Sequence, residues 1–445
     1  MGKADGSTRV RGARRSRWQC ALAALPVMAL ALTGCGGSGQ QSDSDNRLTV
    51  WMMTGGPGDS PLIKDVTAEF KKKYGKKYPG MKVDVQIQQW DGVATKITTA
   101  LAAGNPPDIV EMGNTQTPLQ TYSGGLADLT ADKKSFEGSD GWLPGLTIPS
   151  TYDGKLYAVP LYGGTKVVMY NKKMFADAGI AQPPKTMDEL QKDCGKLAKA
   201  NAHTADFSGF YLPGQYWFNG MPFMFAKGGT VATRKGDTWQ ARLSAPQNQA
   251  GLKAWRTFQN TCSTRSSRGV NTDSPDQDQL FADGKAAMEY VKAWEPATVL
   301  EKNPKLEDDI GFFALPGFTA QLTMPVIVSG STIGIAANSP DRKAATDWLR
   351  IITSEHVQQK VARQLNLLPI SPDFTPAGVP RQLTVAAQAS KVSQPLPNSP
   401  GEATLETERY NEQFFAKIAG GADIAQASAA YDKHATKALN ALGDK

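Results

Sequence analysis

The sequence is poor in the side chains that most often do chemistry near neutral pH. It has only 3 histidines and 4 cysteines in 445 residues. No CxxC or HxxxH spacing brings any of them together, so no zinc centre or other metal site is expected. A GxSxG elbow, a Walker A loop and an HExxH helix are all missing, which removes common hydrolase, nucleotide-binding and metalloprotease signatures. His203, His356 and His434 are scattered and read as solvated or structural residues. No internal repeat is visible. Carboxylates are plentiful, so hydrolysis by a carboxylate pair stays open, because such a pair has no fixed local spacing.

What the chain does have is basic charge, gathered at one end. The formal charge is +7. Residues 1–35 hold Lys3, Arg9, Arg11, Arg14, Arg15 and Arg17 against Asp5 alone, a net of +5, which leaves +2 for all the rest. That distribution points to a targeting segment and away from a nucleic-acid partner. Trp18 to Leu32 follows as an apolar run interrupted by Gln19 and Pro26. It is shorter than the roughly 20 residues that cross a membrane, and fits a secretory h-region. Leu32-Thr33-Gly34-Cys35 resembles the lipobox of bacterial lipoproteins. The resemblance implies cleavage before Cys35 and acylation of its thiol, which would anchor the chain outside the cytoplasm. An incidental cysteine in an ordinary signal is the alternative, and Arg14-Arg15 leaves Sec and twin-arginine export both open. Gly36 to Asn46 has no apolar residue and would serve as a flexible tether of roughly 18 Å.

Cys20 goes with the signal and Cys35 with the lipid, leaving Cys194 and Cys262. In an oxidising compartment such a pair is expected to form a disulfide; two free buried thiols are the alternative.

From Leu48 onward, strand and helix patterns alternate. Leu48 to Met52 reads as a buried strand, and Leu62, Val66 and Phe70 share a helix face. Val83, Val85 and Ile87 have strand period, and Asp91 can cap a helix bearing Val93, Ile97 and Leu101. Asp108 to Met112 is a third strand, so a parallel sheet with covering helices is expected. Further on, helices are expected over 245–262 and 278–287, strands over 310–316 and 331–337, and a mostly helical tail from Ala403. Trp255 and Trp348 share helix faces with apolar neighbours and read as core.

Several segments in this order resemble the extracellular sugar-binding proteins of ABC importers, the family-1 solute-binding proteins. They are Ala103-Gly104-Asn105-Pro106-Pro107-Asp108-Ile109, Tyr152-Asp153-Gly154-Lys155-Leu156 with Met169-Tyr170-Asn171 downstream, Phe281-Ala282-Asp283-Gly284-Lys285, and Ala344-Ala345-Thr346-Asp347-Trp348. The resemblance implies an α/β, two-lobed periplasmic-binding-protein type II fold with a hinged cleft. It implies a signal peptide over 1–34, a tether over 35–46, one lobe from 47–159 and 317–368, and another from 160–316 and 369–445. Crossings are expected near Val159-Pro160, Leu315-Pro316 and Leu368-Pro369. A binding protein without catalysis or cofactor follows, a monomer that captures a sugar and docks on a membrane permease. A secreted lipid-anchored glycoside hydrolase, or a binder of a peptide or other non-sugar solute on the same fold, is the alternative.

A sugar needs aromatic platforms for its C–H faces and short polar side chains for its hydroxyls; Asn and Gln amides supply both donor and acceptor. By resemblance, Thr54, Gln89, Trp90, Asp91, Asn114, Thr115 and Gln116 would line the first lobe at carboxyl ends of strands. Tyr162, Trp217, Trp294 and Glu295 would come from the second, with Ser329, Gly330 and Ser331 closing the set. Glu111 is expected to point into the lobe. The run from Glu111 to Gln116 resembles binders of chitobiose and N-acetylglucosamine in this family.

Overall fold

The computed structural model describes residues 46–90 and 92–441. The signal segment, Cys35, the tether up to residue 45, and Asp91 lie outside the described residues. No helix among the described residues is long and apolar enough to cross a membrane.

Among the described residues, twelve strands run in chain order as β1 (Arg47–Met53), β2 (Lys82–Gln88), β3 (Ile109–Gly113), β4 (Thr151–Tyr152), β5 (Lys155–Leu156) and β6 (Ala158–Gly164). They continue as β7 (Val167–Asn171), β8 (Ala232–Lys235), β9 (Thr238–Ala241), β10 (Met288–Val291), β11 (Ile310–Phe313) and β12 (Ser329–Ile335). Two sheets organise the molecule, one ordered β2-β1-β3-β12-β6 and one ordered β10-β7-β11.

The first sheet grows from the alternation seen in the sequence. β1 pairs in parallel with β2 and β3, with helices Leu62–Tyr74 and Val93–Leu101 as the connections. Leu62, Val66 and Phe70 cover one face of the sheet with Leu48, Val50, Met52 and Trp348. Val93, Ile97 and Leu101 cover the other with Met53, Val110 and Met112. β3 is therefore buried on both faces, whereas β2 at the edge keeps its polar alternation. β12 and β6 complete the sheet antiparallel.

The second lobe packs its small antiparallel sheet against helices that include Met187–Ala200, Pro246–Cys262, Tyr410–Ala419 and Ile424–Asn440. Trp255 is fully buried there. Cys194 and Cys262, on the first two of those helices, are joined in a disulfide inside this core with Cα atoms 5.2 Å apart. The helix expected over 278–287 ends at Ala282, because Gly284 takes φ +72° and turns the chain into β10. An Asp276 side chain caps its start.

Each crossing between the lobes lies several residues later than its proline suggested. Residues through Gly164 pair with β12, so the first crossing is Thr165-Lys166, not Val159-Pro160, and Tyr162 belongs to the first lobe, not the second. Pro160 sits within β6, an edge strand, where a missing N–H costs no ladder bond on the open side. Met324 and Ile327 pack in the second lobe's core, so 317–328 runs with that lobe up to β12. Ile370 and Phe374 pack in the first lobe's core, and the chain returns before helix Arg381–Ser390. Proline marked a break in local pattern; side-chain burial decides the lobe.

Candidate functional site

Between the two sheets lie two neighbouring cavities that share Tyr162, Phe218, Ser329 and Gly330 in their walls. One, of about 320 Å³, is lined from the first lobe by Trp90, Asn114, Thr115 and Gln116, and from the second by Ile327, Leu396 and Glu406, with Ser331 from β12. The other, of about 270 Å³, is lined by Lys166, Tyr216, Lys292, Trp294, Leu367, Leu368 and Ala386 among others.

The first-lobe side chains are fixed by hydrogen bonds. β3 ends at Gly113, and the amide of Asn114 donates to Gly145 O (3.2 Å) and Val328 O (3.1 Å). Gln116 Oε1 accepts from Gly113 N at 3.2 Å, which leaves its amide NH₂ for the cavity. Trp90 is 39% exposed, and its Nε1 donates to Thr54 O at 2.9 Å. Thr54 thus positions Trp90 from behind and does not line either cavity. Gln89 is exposed outside them, and Asp91 lies outside the described residues.

Below this wall sits Glu111, fully buried on β3. One carboxylate oxygen accepts from Met53 N at 2.8 Å and the other from the Tyr162 hydroxyl at 3.1 Å. Burial pushes the Glu111 carboxyl up to about 7, with the Met53 N–H opposing that shift. Burial, with the Glu111 charge beside it, also raises the Tyr162 hydroxyl far above its usual range. Glu111 therefore points into the lobe, as read, and holds the ring of Tyr162 that both cavities share. Gly330 permits the close approach of β12 to β6 here: a Cβ on it would fall 2.2 Å from the backbone O of Tyr162.

The second-lobe wall differs from its sequence reading. Trp217 is only 6% exposed and packs in the lobe core, stacked on Phe218 with centroids 3.7 Å apart. In the short turn Trp217–Asn219 the two consecutive rings take opposite roles, and Phe218 is the one that reaches the cavities. Glu295 is also reassigned. It opens helix Glu295–Lys302, and its carboxylate accepts from Lys292 N at 2.6 Å and meets Lys292 Nζ at 3.4 Å. Trp294, by contrast, is 51% exposed on the cavity wall, with Lys292 Nζ 5.1 Å from its ring.

Sequence reasoning missed Lys166, Phe218, Leu367, Leu368 and Glu406. The run Tyr216-Trp217-Phe218 was a usable signal for a ring at the cleft, but not for which ring. Among the remaining tryptophans, Trp142 is buried in the first lobe's core and Trp239 packs against the second's. His356 pairs with Glu69 and His434 with Glu408, both on exposed surface. No group of acidic, histidine or cysteine side chains suited to a metal occurs among the described residues.

A sequence profile described as bacterial extracellular solute-binding protein matches residues 59–359. The chain belongs to that family. Among curated relatives of this solute-binding protein is the diacetylchitobiose binding protein DasA of Streptomyces coelicolor, 35% identical over 353 residues, covering 77% of this chain and 79% of that protein. Among solved structures, the sugar-binding protein MalE of Xanthomonas citri superposes with a TM-score of 0.75 at 19% identity, over 89% of this chain and 98% of that one. MalE of Listeria monocytogenes, solved with maltose, gives 0.73 at 18% identity, over 90% and 100%. These likenesses establish the two-lobed binding-protein fold.

Proposed function

We propose that this solute-binding protein captures a sugar in the cleft between its lobes and hands it to the membrane permease of an ABC importer. One observation carries the reading. Two partly exposed indoles, Trp90 and Trp294, stand on the walls of adjoining cavities, with the amide of Gln116 and the hydroxyls of Thr115 and Ser329 also on those walls. Exposed tryptophans are unusual unless they wait for a partner, and flat rings beside amides and hydroxyls match a pyranose. Similarity to a diacetylchitobiose binding protein favours an N-acetylglucosamine or chitobiose type of sugar. The ligand set is then Trp90, Asn114, Thr115, Gln116, Tyr162, Trp294, Ser329, Gly330 and Ser331, with Phe218 in place of Trp217.

The protein acts by binding alone, as a monomer. Ligand holds the lobes together by a hinge at the three crossings, and the closed form is what the permease accepts. Cys35 carries the lipid that keeps the protein at the outer face of the cell membrane. Cys35→Ala should abolish lipid labelling and leave the protein shed or unprocessed; continued labelling would refute the anchor. For the main reading, N,N′-diacetylchitobiose is incubated with the protein and followed by calorimetry and mass spectrometry. Saturable binding with the sugar recovered intact is expected. Recovery of shortened sugar would make the protein a glycoside hydrolase, and failure to bind any sugar would end the reading.

A further inference from the structure

Lys166 takes no part in anything derived above. It occupies the first crossing between the lobes, is 7% exposed, and lines the smaller cavity. Its Nζ lies 3.6 Å from the centroid of Phe218 and 4.9 Å from that of Tyr216. Beyond those ring faces, it has no hydrogen bond or ion pair with any described residue. Burial, reinforced by Lys292 and opposed by Glu295, holds its amine down to about 7. Cation–π contacts offset part of the cost of desolvating an ammonium, but its N–H donors stay unused.

The rest of that cavity narrows what could use them. Trp294, Leu367, Leu368 and Ala386 give it an apolar wall. Lys292 adds a second cation, and no aspartate or glutamate lines it. A ligand group suited to this end carries a methyl for the wall, a strong acceptor for the amine, and no positive charge. An acetamido group has all three properties. A free sugar ammonium would be placed against two lysines, and the nearby carboxylate, Glu295, is already paired with Lys292.

We infer that Lys166 is a specificity-determining residue: its amine donates to the carbonyl of a ligand N-acetyl group, and with Lys292 it excludes a deacetylated amino sugar. This rests on the sugar-binding reading and deepens it.

The test is calorimetry on wild type and Lys166→Met with four disaccharides, at a pH where free sugar amines are protonated. They are N,N′-diacetylchitobiose, its fully deacetylated form, cellobiose, and a disaccharide bearing a uronic acid. Wild type should prefer the acetylated sugar over the deacetylated one by about tenfold or more, the scale of one hydrogen bond to a charged group. Lys166→Met keeps the length of the stem and removes a buried charge, so it should fold. It should lose about tenfold in affinity for the acetylated sugar, and the preference should shrink. If the variant keeps both affinity and preference, Lys166 is a structural cation and the inference is overturned. Wild type alone also decides: preference for the deacetylated or the uronic sugar refutes an acetamido site while leaving sugar capture intact. If wild type binds none of the four, both readings fall.

Discussion

The two walls of the cleft are built by different means. On the first-lobe side, hydrogen bonds to backbone fix Trp90, Asn114 and Gln116, and a buried carboxylate fixes Tyr162. On the second-lobe side, Phe218 is held by stacking on a core tryptophan, and Trp294 stands half exposed at a helix start. A polar wall fixed before ligand arrives confers geometric selectivity, because its ordering cost has already been met by folding. An aromatic wall offers area and tolerates small changes in ring tilt. On the proposed function, the first lobe would read the hydroxyl pattern and the second would grip.

That contrast can be broken at several levels. The largest effects should come from the supports behind each wall. Trp348→Ala empties the first lobe's core and should cost roughly 3–5 kcal/mol of stability. Cys194→Ala with Cys262→Ala opens a loop spanning a separation of 68 residues in the second lobe, and should cost about 4 kcal/mol in the chain-entropy view. Urea unfolding is expected to show one transition for each variant, since one apolar cluster includes Leu143 and Leu146 beside Val167 and Phe281 and so joins the lobes. Two separate transitions would show that the lobes unfold independently.

Next comes a pH effect confined to the polar wall. The folded pKa of Glu111, about 7, exceeds its ordinary 4.5, so the folded state keeps a proton that the unfolded chain has released. The stability this gives is full below pH 4.5 and is lost as pH rises through 7, on the order of 3 kcal/mol in all. Glu111→Gln should remove that slope. Asp278 and Glu402, raised by burial to about 7 and about 8, should keep theirs. A Gln variant with an unchanged pH–stability curve would mean the Glu111 carboxyl is not held protonated.

The gripping wall should respond in binding instead. Trp294→Ala should melt like the unliganded wild type yet lose 2 kcal/mol or more of sugar affinity, roughly thirtyfold. Trp217→Ala should melt early, because its ring is core. If Trp217→Ala instead melts normally and loses sugar affinity, Trp217 and not Phe218 is the ring that faces the cleft. Smallest of all is an ion pair between the two lobes. Arg234 on β8 meets Asp153, in the turn between β4 and β5, at 3.2 Å, and also pairs with Asp237. Such a partly exposed pair is worth about 1 kcal/mol or less, so Asp153→Ala should change affinity less than about fivefold, and less still in high salt.

The same contrast explains what the sequence disclosed. Alternating apolar positions gave the first sheet and its two helices, because period and burial coincide there. Asn114, Thr115 and Gln116 were legible as residues following a strand. On the other side, turns set the wall, and two adjacent rings such as Trp217 and Phe218 carry the same local signal whichever faces inward. Lys166 could not be recognised either, since a lysine beside Gly164 looks solvated until the lobes close over it. Leu367 and Leu368 line the cavity from an irregular segment after helix Glu355–Leu365, where no periodic pattern marks them.

The position of β12 has a consequence for the order in which the molecule is made. This strand lies between β3 and β6 in the first sheet, yet the ribosome must add residues 165–328 after β6 before β12 appears. Until then β3 has an open edge, and β6 has no partner in its sheet. The first lobe therefore cannot close its sheet until β12 has been made, and pairings this distant in sequence form slowly. A chain that must be threaded across a membrane gains from such a delay, because an unclosed sheet is easier to thread than a finished one.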